Sequence, residues 1–163
     1  VWDAIEQEGI LSKSDYFLDG VTPVGGLIPL IPVEEEPDLM KVIDAQPGVS
    51  SRPYIIYTWA KVNTGQAWFL KTHHISFFIR SNDGVKMRQL INLFEKYFQD
   101  FDEAARRVND YIIAGPDVFK RFHFKWIEAR DLGSQGPAES EGGIQEAMVT
   151  LRVTFSDGTG RTF

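Results

Sequence analysis

The chain has 163 residues, 43% hydrophobic and 25% charged, the size and composition of one folded domain rather than a disordered chain. Its net charge of −6 argues against a protein whose main work is gripping phosphate backbones. It has no cysteine, which excludes disulfides, thiolate zinc sites and cysteine nucleophiles, and no apolar run approaches the ~20 residues that span a bilayer.

In chain order, residues 2–18 are predicted as a short helix with Ile5, Ile10, Leu11 and Leu18 as its buried positions and Gly9 weakening its middle. Its opening, VWDAIEQEGI, is acidic and amphipathic and does not read as a signal peptide. A long segment follows, DGVTPVGGLIPLIPVEEEPDLMKVIDAQPGVSSRP, with Pro23, Pro29, Pro32, Pro37, Pro47 and Pro53. Prolines at that density forbid a long helix and predict an extended arm, which either wraps its own domain or reaches a neighbouring subunit. Residues 1–52 are thus an N-terminal helix and arm, and residues 53–163 the core of a single domain.

From Pro53 the pattern sharpens. YIIYTWAKV (Tyr54–Val62) is aromatic and β-branched, Asn63–Gly65 reads as a turn, and a second strand is expected from Gln66 to Arg80. SNDG then offers a helix N-cap at Asn82 or Asp83. Met87, Leu90, Ile91, Phe94, Tyr97, Phe98 and Phe101 form one helical stripe, and Asp102 is the expected cap of a second helix closed by Gly115–Pro116. Two more strands follow. FKRFHFKWIEA alternates, with Phe122, Phe124 and Trp126 on one side and Arg121, His123 and Lys125 on the other. Beyond the acidic loop Gly133–Gly143, QEAMVTLRVTF sets Ala147, Val149, Leu151, Val153 and Phe155 on one face. The predicted class is α+β: an antiparallel sheet of two β-hairpins, with helices packed on one face.

The doublet His73–His74 invites a metal or acid–base reading, but strand neighbours point to opposite faces. His73 falls with Ile75 and Phe77, His74 with Thr72, Ser76 and Arg80. The remaining histidine, His123, shares its face with Arg121 and Lys125, which repel a cation, and no HExxH or HxH spacing occurs. No nucleophile elbow, phosphate loop or basic RNP-like strand is present either. No catalytic, cofactor-binding or metal-binding residue is therefore assigned.

What stands out instead is an excess of large side chains for one core. If the helices cover the odd face of the second strand, Trp68, Leu70 and Phe78 on its even face need another cover. With His74, and with Gln135, Gly136, Pro137, Glu139, Glu141 and Gly142 of the acidic loop, they are the candidate subunit or partner contacts.

The ordered phrases RPYIIYTW, WFLKTHHISFFIRSNDGVKMRQLINLFEKYF, DEAARRVNDYI and FHFKWIEARDLGSQGPAESEGGIQEAMVTLRVTF, entered through IPLIPVEEEPDL, resemble the tail-terminator and neck proteins of long-tailed bacteriophages. The resemblance covers roughly two-thirds of the chain and leaves out residues 1–50. It implies a non-catalytic virion protein at the head–tail junction, assembled in the host cytoplasm. Such proteins form rings, usually hexamers, that cap the tail tube and dock to the head connector, their edge strands and arms joining neighbours. The loop Gly133–Gly143 would face tube or neck, and the acidic balance would suit a lumen through which the genome passes without sticking. Another neck or completion protein, a small soluble enzyme and a nucleic-acid-binding module are the alternatives.

Overall fold

The structure, a computed structural model, describes residues 1–10, 30–35, 53–62, 70–132, 138–139 and 145–158. It is an α+β fold. In chain order the elements are α1 (Trp2–Gln7), β1 (Leu30–Pro32), β2 (Tyr54–Val62), β3 (Leu70–Ser81), α2 (Gly84–Phe98), α3 (Phe101–Ala114), β4 (Phe122–Leu132), β5 (Ala138–Glu139) and β6 (Gln145–Asp157). Single 3-10 turns lie at Val33–Glu35 and Asp117–Phe119.

The sheet order is β1-β2-β3-β6-β4, with β5 also pairing β6. The β2–β3 and β4–β6 pairs are antiparallel, as expected. The sheet as a whole is mixed rather than antiparallel, because β1 runs parallel to β2. β1 is the described part of the proline-rich arm that joins the sheet; it sets Ile31 beside Ile56, both buried. Residues 11–29, 36–52 and 63–69 lie outside the described residues, and with them Leu11, Leu18, the turn at Asn63–Gly65 and the greater part of the arm.

The core lies between the helices and one face of the sheet. Opposed residues of an antiparallel pair share a face, so the register Ile55–Ile79–Ala147 and Phe77–Val149 places these side chains together. Against them pack Met87, Leu90, Leu93, Phe94 and Phe98 of α2, Ala104 and Ala105 of α3, and Ile5 and Ile10 from the N-terminal segment. Ile5 and Ile10 meet through a Schellman turn. Gly9, at φ +65°, ends α1 instead of weakening its middle, its N–H donates to the Glu6 carbonyl and the Ile10 N–H to the Ile5 carbonyl.

Helix boundaries are set by two aspartates. Asp83 caps α2, its carboxylate accepting from the Val85 and Lys86 amides. Asp100, not the expected Asp102, caps α3 by accepting from the amides of Asp102 and Glu103. Phe101 consequently opens a new helix and is exposed instead of closing the α2 stripe.

The expected alternation of β4 also fails. Register shifts fall between Phe124 and Trp126 and between Ala129 and Asp131. Each bulge adds one residue and reverses the phase. Phe124 and Ile127 therefore both join the core side, while Trp126 sits opposite Thr154 on the other face. Asn109 of α3 fastens the first bulge: its Nδ2 donates to the Phe124 carbonyl and its Oδ1 accepts from the Phe124 N–H, both at 2.8 Å.

Asn109→Ala leaves both Phe124 backbone groups without these partners and is expected to cost about 2 kcal/mol, read from urea denaturation. Asn109→Asp keeps the acceptor but faces a carboxylate to the carbonyl, and should be no better than Ala. Wild-type stability in either variant would refute the clamp.

Candidate interaction surfaces

The adjacent histidines point to opposite faces. His73, half-buried, lies on the core side with its ring edge-on to Trp59 at 5.4 Å and to Phe155 at 5.2 Å. Phe155 is a hub, its ring also 5.5 Å from Phe124 and 5.9 Å from Phe122. The Nδ1 of His73 is buried with no hydrogen-bond partner. Burial in this aromatic setting, and then the ammonium groups of Lys61 and Lys71, hold its pKa below the ordinary histidine value. His74 is half-buried on the opposite face, between Ala60 and Arg152 in the register. Among the described residues no three His, Asp or Glu side chains gather as a metal site.

Of the other expected contact residues, Leu70 and Phe78 are half-buried on the face of His74, Phe78 between Ile56 and Met148. Glu139 belongs to β5 and pairs by its backbone with Gln145. Trp68, Gln135, Gly136, Pro137, Glu141 and Gly142 lie outside the described residues. The structure thus brings Leu70, His74 and Phe78 to one face, as the alternation predicted.

A second surface was missed. The C-terminal end of α3 and the turn after it expose Tyr111 (69%), Ile113 (66%), Val118 (62%) and Phe119 (51%). Beside them runs a groove of 530 Å3 floored by Phe122 and Phe124 and edged by Ile112 and Pro116. Tyr111 also borders a second groove, of 590 Å3, between α1, α2 and α3. The rim is polar: Lys120 pairs with Asp117 at 2.6 Å, and the Arg121 guanidinium lies over the Phe122 ring at 4.6 Å. An apolar centre with a charged rim is the anatomy of a protein contact. The signal in the sequence was YIIAGPDVF, which carries more apolar side chains than one buried helical stripe uses.

The two sheet edges differ. β4 is blunted by its two bulges and by the Asn109 clamp, devices that discourage strand addition. β1 reaches only as far as Tyr57, so among the described residues Thr58–Val62 has no partner on its outer side. Among the described residues no helix is long and apolar enough to cross a membrane.

In comparison with known proteins, no family model, no curated protein and no solved structure matches this chain.

Two outcomes test these surfaces. Because the folded pKa of His73 is depressed, its contribution to stability is complete above the unfolded value of 6.5 and is lost as pH falls from there toward the lowered folded value. His73→Phe should flatten that part of the stability–pH curve, measured by urea denaturation between about pH 7.5 and about pH 5.5; an unchanged curve would exclude His73 as its source. Val118→Asp combined with Phe119→Asp, both at exposed positions, should leave stability to urea within about 0.5 kcal/mol of the wild type, and a clearly destabilised variant would show that these side chains are packed instead of exposed.

Proposed function

We propose that this chain is a structural subunit of a long-tailed phage virion. In this reading it is a tail terminator that closes into a ring of about six copies, caps the tail tube and joins it to the head connector. The observation that carries the self-assembly is the exposed apolar surface of Tyr111, Ile113, Val118 and Phe119 beside its groove. A ring needs a heterologous contact, one patch of each subunit meeting a different patch of the next. The protruding Val118–Phe119 turn and the neighbouring grooves along α3 offer two such unlike patches.

The work is assembly, with no chemical step and no cofactor. One rim of the ring stops tube polymerisation and the other receives the connector. The blunted edge of β4 leaves strand-mediated contacts between subunits to the outer side of Thr58–Val62, and the helical surface supplies the apolar contact. A chain of net charge −6 suits a lumen through which the genome moves without adhering. The resemblance in the ordered phrases of residues 53–155 supports the virion setting.

Imaging the purified chain with isolated tail tubes is the test. The expected result is a density capping one end of each tube, absent with the Val118→Asp, Phe119→Asp variant. Tubes left bare by a well-folded wild-type chain would overturn the terminator role.

A further inference from the structure

The turn that joins α3 to β4 is a fixed apolar projection. Pro116 leads into it, and the Phe119 N–H donates to the Pro116 carbonyl and the Lys120 N–H to the Asp117 carbonyl, both at 3.1 Å. The Lys120 ammonium is held by the Asp117 carboxylate at 2.6 Å, and just beyond it the Gly158 N–H donates to the Arg121 carbonyl at 2.8 Å. The backbone around Val118 and Phe119 is thus pinned, while both side chains are more than half exposed. With Tyr111 and Ile113 they present roughly 500 Å2 of surface, more than half of the ~800 Å2 that one partner brings to a standard interface.

The groove between α1, α2 and α3 shares Tyr111 as a wall with the groove beside this turn. Its floor is Leu93, Phe98, Ala104 and Val108. The charged side chains described on its wall are Asp3 and Arg107, and both have partners. Asp3 accepts from the Tyr111 hydroxyl and attracts the Val1 amine, and Arg107 pairs with Glu103 at 2.6 Å and lies over the Tyr97 ring at 5.1 Å. A groove with a hydrocarbon floor and wall charges already paired gains most from an apolar side chain.

We infer that the Val118–Phe119 turn of one copy seats in the groove between α1, α2 and α3 of the next, with Phe119 as its anchor. This assignment rests on the ring reading above. The groove beside the turn is not the socket of a ring, because Phe119 itself lines it. Two turns meeting there would face each other across a two-fold axis and close at two copies. The groove at α1 is a separate surface, so each subunit has one projection to give and one socket to offer. Because the turn is pinned beforehand, seating it costs little conformational freedom. An aromatic ring enclosed at the centre of a contact is also the kind of side chain that carries most of its energy.

The chain has no cysteine, so introduced thiols report position without background. Val118→Cys and Gln7→Cys, both at exposed positions, are mixed as dilute chains in equal amounts and concentrated until sedimentation shows the ring. A short bis-maleimide reagent then joins neighbouring thiols. Because each chain carries one thiol, a link between positions 118 and 7 joins different chains. The expected product is that mixed pair, mapped by mass spectrometry, in at least about 10-fold excess over links between like positions. A ring without the mixed link would overturn this socket and leave the ring reading standing. A dominant link between two 118 positions would overturn it in favour of the two-fold contact. A mixture that stays monomeric at every concentration would overturn both the socket and the ring.

Discussion

The strand that comes last along the described chain, β6, occupies the centre of the sheet, and the rest of the architecture depends on that insertion. It pairs with β3 along twelve register positions from Leu70–Ser156 to Ser81–Gln145, and on its other side with β4. β3 is far away in sequence: the side-chain bonds across the β3–β6 seam join residues 66 to 86 positions apart. Until β6 is in place, β3 and β4 lack their shared neighbour and α2 and α3 lack much of the apolar floor they cover. Such a core forms through non-local contacts, and its loop-closure entropy must be met before the burial is gained.

The same strand gives the molecule two unlike sides. Its residues Ala147, Val149, Leu151 and Val153 face the helices and are buried, whereas Met148, Thr150, Arg152 and Thr154 face away. The first side is filled by hydrophobic packing and finishes in the aromatic group around Phe155, where burial and then the nearby Lys61 and Lys71 hold the His73 pKa below the ordinary histidine value. The second side is held by hydroxyl pairs and an ion pair. Beyond the filled side, the apolar surface of α3 and the turn after it is left exposed. A monomer with that much aromatic and aliphatic surface at one end has a hydrophobic reason to associate.

Much of this was legible in the sequence. Strict alternation in β3 and β6 predicts which residues face the core, and it separates His73 from His74. The stripe of α2 was equally plain, apart from its end. What was hidden depends on information that residue patterns lack. Asp100 and Asp102 are both competent caps, and the choice between them moves Phe101 from one helix to the next. A bulge inserts one residue without changing composition, so the even spacing of Phe122, Phe124 and Trp126 suggested a shared face that the bulge divides. β1 is three residues long and ends at a proline, too short for periodicity to mark.

The central claim is that unlike apolar patches on this fold meet to close a ring. Sedimentation velocity of the wild-type chain over a wide concentration range tests it most directly. The account predicts one discrete species of about six times the 18.5 kDa chain mass, whose size stays constant as concentration rises because a closed ring has no free end. A monomer of 18.5 kDa at every concentration, or a species that grows without limit, would contradict it.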